Sequence, residues 1–216
     1  MRIPVSWNHY KLRTIDIGLF VEELYEKSGM GSSERLISDH IWNHQVTKIR
    51  ARIPAQSATK TIPLYSHGGK LNELNFLQKF KNRRWPGSEY DSIIPWPEHI
   101  DRFPECDGFL KWFVEEYGGE LHRAVLVKLD IGASVGLHRD GGRYYKDKDR
   151  FHLVIQGEYL YTVNEESMIY KQGDLWWFNN KKHHKSTNIS NQERVALIFD
   201  VKGSTWRTRS EQVESI

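Results

Sequence analysis

Residues 172–201 read QGDLWWFNNKKHHKSTNISNQERVALIFDV, and this stretch decides the fold. Gln172-Gly173-Asp174 makes a turn and launches the apolar run Leu175-Trp176-Trp177-Phe178. A polar tip carrying His183 and His184 follows. Arg194 then opens Val195–Val201, the most strongly β-patterned run in the chain.

Working back from there, Tyr159–Val163, Phe151–Ile155 and Ala124–Leu129 are further short β-rich runs, each bounded by Gly, Asn or Asp. Several such strands within about 80 residues argue for a β-sandwich or barrel. A double-stranded jelly roll is the natural arrangement.

The character of the sequence changes near residue 120. Before it the periodic segments are helical. Ile17, Phe20, Val21, Leu24 and Tyr25 recur at three- and four-residue spacing, with Gly29 beyond as a stop. In Asp107–Tyr117, Leu110, Phe113, Val114 and Tyr117 form one face, Asp107 is the expected N-cap, and Gly118-Gly119 ends the helix. Leu71–Phe80 is a weaker helical candidate. Arg84-Trp85-Pro86-Gly87 and Ile94-Pro95-Trp96-Pro97 read as packed loop, because proline removes a donor and biases its predecessor away from helix. The expected organisation is a helical and loop region over 1–120 packing on the core, a jelly-roll catalytic core over 121–205 and a tail over 206–216. The fold class is thus mainly β with flanking helices.

The 216 residues suit one domain, able to bury roughly 70% of the surface its unfolded chain exposes. The single cysteine, Cys106, precludes an internal disulfide and fits a reducing compartment. No run of 18 apolar residues occurs and the N-terminus lacks a signal-like apolar core, so a cytoplasmic protein with no membrane partner is expected. The sequon Asn188-Ile189-Ser190 carries no meaning without secretion. A net charge of +3, from 31 basic and 28 acidic residues, argues against a nucleic-acid ligand despite the basic tip Lys181–Lys185. Nothing in the sequence specifies an oligomer.

Chemistry enters with Gly136-Leu137-His138-Arg139-Asp140-Gly141-Gly142. On an extended segment, side chains at i and i+2 share a face, so His138 and Asp140 can converge on one ion while Arg139 points away. Imidazole plus carboxylate suits Fe(II), Mn(II) or Zn(II). A jelly roll returns the segment after Phe178 to the same mouth, offering His183 or His184 as a third ligand. Arg194 entering a buried strand is costly unless it meets an anion, and guanidinium grips carboxylate in bidentate fashion. An edge arginine snorkelling to water is the plain alternative. Arg150 and His152 likewise place two polar side chains on one strand face, where a buried His needs a partner. Arg83, Arg84, Trp85, Trp96, Arg143, Tyr144 and Tyr145 are candidate substrate-lining residues, their cations suiting a substrate carboxylate.

The run from His138 to Val201 resembles the aspartyl/asparaginyl β-hydroxylase family of 2-oxoglutarate oxygenases. The resemblance rests on Gly132 with His138-Arg139-Asp140, Arg150-Phe151-His152-Leu153, Gly173-Asp174, Phe178-Asn179-Asn180, His184, Asn188, Arg194-Val195 and Asp200-Val201, in order and near the family's spacing. It covers about the last 90 residues, with a fainter echo at Phe103-Pro104.

The resemblance implies a double-stranded β-helix, cupin-like fold. It makes His138, Asp140 and His184 an iron facial triad, the ten-residue interval to Arg194 selecting His184 over His183. It makes Arg194 the anchor of the 2-oxoglutarate carboxylate, with His152 assisting there and Arg150 facing cosubstrate or substrate. The membrane-anchored peptidyl-aspartate branch has glycine where this chain has Asp140. The retained aspartate is closer to bacterial amino-acid hydroxylases such as cis-3-proline hydroxylase. The implied activity is an Fe(II)- and 2-oxoglutarate-dependent dioxygenase using O2 to hydroxylate an amino acid, a peptidyl side chain or a related small molecule, with succinate and CO2 as coproducts. The competing reading is a non-oxidative metal-binding cupin-like protein, for example a Zn-dependent hydrolase, which has no need of Arg194.

Overall fold

The computed structural model describes residues 7–26, 35–36, 39–42, 54–67 and 93–208. The candidate helix 71–80, Gly29 and the Arg84–Gly87 segment lie outside the described residues, as does the end of the expected tail from residue 209.

The strands in chain order are β1 (His9–Thr14), β2 (Tyr25–Glu26), β3 (Arg35–Leu36), β4 (Thr59–His67), β5 (Ile93–Pro95), β6 (Glu120–Leu129) and β7 (Ser134–His138). They continue with β8 (Lys148–Gln156), β9 (Tyr159–Val163), β10 (Glu166–Tyr170), β11 (Asp174–Phe178), β12 (His184–Asn188) and β13 (Arg194–Lys202). Among the described residues the helices are α1 (Gly18–Glu23), α2 (Asp39–Trp42), α3 (Pro97–Arg102) and α4 (Pro104–Tyr117), with 3-10 turns at Pro54–Gln56 and Arg143–Tyr145.

From β6 onward the chain passes back and forth between two antiparallel sheets, with β9 and β10 forming a hairpin within one of them. One has the order β1-β11-β8-β13-β6-β4-β5, the other β10-β9-β12-β7. Strands β6, β8, β11 and β13 lie in the first sheet, and β7, β9, β10 and β12 in the second. This is the jelly-roll arrangement, mainly β with flanking helices, that the short strands predict.

The alternation within β13 shows how the sequence sorts the two faces. Val195, Leu197, Phe199 and Val201 belong to the core cluster that includes Phe20 of α1 and Phe109, Leu110 and Phe113 of α4. The Phe113 ring centroid lies 4.7 Å from that of Phe151 and 4.8 Å from that of Phe199. Arg194, Ala196, Ile198 and Asp200 fall on the opposite face, toward the second sheet. There a second cluster comprises Val154, Tyr159, Tyr161, Val163, Tyr170, Trp176 and Phe178. Strand β11 is covered on both faces, which is why it reads as an unbroken apolar run.

The first 120 residues are not only helix and loop. They add β1, β4 and β5 to the large sheet. Strand β4 hides from periodicity because Pro63 interrupts it, and the pairing with β6 shifts register between Pro63 and Tyr65. Helix α4 starts four residues earlier than expected, with Phe103 at the N-cap and Pro104 at N1. Asp107 is therefore not the cap. It is buried within the first turn, accepting from the Tyr65 hydroxyl at 2.5 Å and from Lys111 at 2.7 Å. Trp206, assigned to the tail, is fully buried against Phe151, Trp177 and Tyr10. Among the described residues no helix is long and apolar enough to cross a membrane.

Two short-range features pin the ends of site-bearing strands. Asn188 is buried and its amide donates to the carbonyls of Leu129, Asp130 and Gln192 at 2.9–3.1 Å. Its place in the sequon is thus structural. Gly173 sits at φ +85°, where a Cβ would lie 2.9 Å from the Ile15 carbonyl oxygen. Gly173→Ala is expected to cost about 1–3 kcal/mol, read as a lowered urea midpoint. An unchanged midpoint would mean the turn relaxes freely.

Candidate metal centre

Strands β7 and β12 pair so that His138 stands directly across from His184. Their ring centroids are 4.3 Å apart. Two residues past His138, beyond the end of β7, Asp140 is fixed by its own backbone, its N–H donating to the Asn180 carbonyl at 3.0 Å. One ligand atom from each of His138, Asp140 and His184 lies within 4.8 Å of the others. His183 is exposed, and its carbonyl accepts from the Asn164 N–H at 2.8 Å. His184 opens β12 across from His138 and joins the cluster, whereas His183, one residue before the strand, stays out of it.

Both imidazoles are oriented by the same device. His138 Nδ1 lies 2.8 Å from the Gly136 carbonyl oxygen, and His184 Nδ1 lies 2.9 Å from that of Lys182. A carbonyl only accepts, so Nδ1 carries the proton and Nε2 keeps its lone pair. Burial then pushes the His184 pKa down to about 4, against the opposing pull of the Asp140 charge. The unfolded chain takes up a proton here below its ordinary 6.5, while the folded protein refuses it until about pH 4. Protonation is therefore disfavoured by the fold, so His184 leaves stability unaffected above that ordinary value and lowers it as pH falls, by about 3 kcal/mol below about pH 4 in metal-free protein. His184→Gln should flatten the fall in urea midpoint between pH 7 and pH 4. An identical slope in that variant would exclude His184 as the cause.

Asp140 is 7% exposed and carries two hydrogen bonds, both on Oδ2. One comes from Arg150 Nη1 and the other from Asn180 Nδ2 at 3.3 Å. That leaves Oδ1 to face a cation. Arg150 in turn grips Asp200 in bidentate fashion, Nε to Oδ1 at 2.7 Å and Nη2 to Oδ2 at 2.8 Å. Burial alone would lower the Arg150 pKa, but the Asp140 and Asp200 carboxylates hold it well above its ordinary value. Arg150 therefore does not extend a free fork toward a cosubstrate, because all three of its nitrogens are engaged with carboxylates. Its place is behind the metal-facing aspartate.

Arg194 presents the opposite situation. It is 2% exposed, which rules out snorkelling, and its Nε and Nη1 lack a hydrogen-bond partner among the described residues. The guanidinium stacks on Tyr159, its carbon 4.3 Å from the ring centroid, and burial lowers its pKa. An orphaned, buried guanidinium is costly unless an anion completes it.

Between Arg194 and the triad lies His152. Its Nδ1 is hydrogen-bonded to the Tyr159 hydroxyl at 2.9 Å. Burial, then the charge of Arg194, holds its pKa well below the ordinary value, so the ring is neutral. Tyr161 stacks on His184 with centroids 6.0 Å apart and meets His152 edge-on at 5.2 Å. The triad, His152 and Arg194 thus share one aromatic-walled interior.

The candidate substrate-lining residues divide. A cavity of about 370 Å³ opens beside Asp140, lined by Arg139, Tyr145, Lys146 and Lys181 among others. Tyr145 also lies under the Arg150 guanidinium, at 4.8 Å. Tyr144 is committed elsewhere, donating to Asp200 at 3.0 Å and accepting from the Arg123 N–H at 3.2 Å. Trp96 is structural, its indole N–H donating to Ser66 at 2.6 Å and its ring stacked on His99. Arg83, Arg84 and Trp85, and the side chain of Arg143, lie outside the described residues. Asn180 and Asp200 escaped sequence reasoning as site residues. Asp200 was reachable by the logic applied to Arg194, since a buried acid closing an apolar strand also needs a partner.

Comparison with known proteins agrees with this geometry at the level of family. Solved structures that resemble the chain include a predicted oxalate decarboxylase from Thermotoga maritima, 22% identical, with a TM-score of 0.33 over 38% of this chain and 67% of that one. The cupin domain of Schizosaccharomyces pombe Cnp3 is 16% identical, with a TM-score of 0.33 over 44% of this chain and 62% of that domain. A Bacteroides fragilis cupin protein is 18% identical, with a TM-score of 0.33 over 38% and 65%. The chain thus spans about two thirds of the length of each. No curated protein matches the sequence. The sequence profile of aspartyl/asparaginyl beta-hydroxylase matches residues 60–203, more than half of the chain. With a possible His-Asp-His metal site inside a jelly roll and that match across it, the chain belongs to the aspartyl/asparaginyl beta-hydroxylase family.

Proposed function

We propose that this protein is an Fe(II)- and 2-oxoglutarate-dependent dioxygenase that hydroxylates an unactivated C–H bond of an amino acid, a peptidyl side chain or a related small molecule bearing a carboxylate. The observation that carries this reading is Arg194, whose Nε and Nη1 are buried without a partner among the described residues, in the interior it shares with the His138, Asp140, His184 cluster. A hydrolytic metal site has no use for such a group.

The residues fit the cofactor and cosubstrate. His138 Nε2, His184 Nε2 and an Asp140 oxygen form a mixed imidazole–carboxylate set suited to a divalent iron with open positions. When bound, such an iron supplies oxygen activation and hydroxylation, coupled to decarboxylation of 2-oxoglutarate to succinate and CO2. Arg194 would take the distal carboxylate of the cosubstrate through a bidentate fork. His152, held neutral, would offer a hydrogen bond without adding charge beside the arginine. Tyr159, Tyr161, Trp176 and Phe178 wall the interior and exclude water from it. At the mouth, Arg139, Lys146 and Lys181 border the cavity beside Asp140 and would receive the substrate's carboxylate.

The test is succinate formation with Fe(II), 2-oxoglutarate and O2 across a panel of amino acids and acidic and neutral peptides. Basal succinate that rises with a carboxylate-bearing member is expected. No consumption of 2-oxoglutarate under any condition, together with ester or amide hydrolysis supported by Zn(II), would replace this reading with the hydrolytic one.

A further inference from the structure

We propose that Asp200 is a positioning residue for the metal centre, keeping the negative charge of Asp140 available to a cation by neutralising Arg150 from behind. The proposal rests on the metal-centre reading above. Asp200 never approaches the triad through its own side chain. It acts through Arg150, which touches Asp200 with Nε and Nη2 and Asp140 with Nη1.

The charges around this chain of contacts make the case. Asp140 and Asp200 contribute two negative charges, and Arg150 and Arg123 two positive ones. Arg123 Nε lies 3.7 Å from Asp200 Oδ2, and the Tyr144 hydroxyl donates to the same oxygen at 3.0 Å. Asp200 is 1% exposed, so water does not share the work. An arginine in direct contact with a metal-binding carboxylate is a competitor for it, since both it and the cation seek the same charge. The bidentate grip of Asp200 occupies Arg150 on its far side and balances it. Arg150 can then orient Asp140 by one hydrogen bond without cancelling it. A purely structural ion pair would need Asp200 and Arg150 only, with no third contact on the carboxylate of the cluster.

Removal of Asp200's charge should therefore weaken cation binding in a protein that remains folded. Residues that support metal ligands from behind typically change affinity by about 10–100-fold, and a loss in that range is expected for Asp200→Asn. The double variant Arg150→Met/Asp200→Asn restores the charge balance and should bind within about threefold of the native protein.

The experiment is titration of metal-free protein with Mn(II), followed by electron paramagnetic resonance, with folding checked by circular dichroism. Native-like affinity in Asp200→Asn would overturn the proposal, and so would a double variant as weak as the single one. Where Asp200→Asn fails to fold, Arg150→Met and the double variant still decide. Asp200 acting through Arg150 predicts that these two bind alike, and a tenfold difference contradicts it. Failure of the native protein to bind Mn(II) or Fe(II) would instead sink the metal-centre reading itself.

Discussion

Replacing Arg194 by methionine is expected to raise the 2-oxoglutarate KM by about 30-fold or more while making the protein more stable. The two effects have one cause. Arg194 is 2% exposed with Nε and Nη1 unpartnered among the described residues, so the folded protein carries the desolvation of a guanidinium that the Tyr159 ring partly offsets. Leaving buried donors unsatisfied costs about 1–3 kcal/mol, more for charged groups, and methionine fills similar volume without that demand. For a chain of this size each 1 kcal/mol moves the melting temperature by roughly 2–4 °C, so a rise of several degrees is expected. Losing one partner of a buried, hydrogen-bonded charge pair costs about 2–5 kcal/mol in binding, which sets the KM effect. Arg194→Lys should fall between, keeping charge but losing the fork. An unchanged KM, or a melting temperature that drops, would mean Arg194 serves the fold and not a carboxylate ligand.

Much of the architecture was legible in the sequence because β propensity and turn chemistry agree along residues 120–202. Gly173 at positive φ and the two-faced burial of β11 are both written in Gly173-Asp174-Leu175-Trp176-Trp177-Phe178. What stayed hidden depends on tertiary pairing. Strand β4 carries Pro63 in its middle and is recognisable only once β6 lies beside it. Strand β1 joins the sheet through β11, more than 150 residues away. The site shows the same division. Two-residue spacing paired His138 with Asp140, but local sequence left His183 and His184 open, and the start of β12 at His184, across from His138, separates them. Arg150 meets Asp140 and Asp200, which lie 10 and 50 residues away, so neither pairing could be read from local sequence. A sequence shows that a charged side chain is on a buried face, but not which of several opposite charges will meet it there.

Asp140→Ala is expected to weaken divalent-cation affinity by more than 100-fold and to abolish turnover, while leaving the fold intact. Two features of this chain make it more severe than the loss of a single ligand. First, an imidazole is at best a neutral donor, so Asp140 is the only anionic donor in the cluster. Second, Arg150 Nη1 now donates to Asp140 and would be left facing the cation position once that carboxylate is gone. Arg150→Met in the Asp140→Ala background should therefore recover part of the lost affinity. The fold should persist because Arg150 keeps its bidentate pairing with Asp200 at 2.7 and 2.8 Å, and the change removes a side chain at the edge of the barrel interior. Titration with Fe(II) under anaerobic conditions reads the affinity, and succinate formation reads the turnover. Native-like activity in Asp140→Ala would remove Asp140 from the ligand set and leave a two-histidine centre, with Arg150 then facing bound substrate or cosubstrate directly.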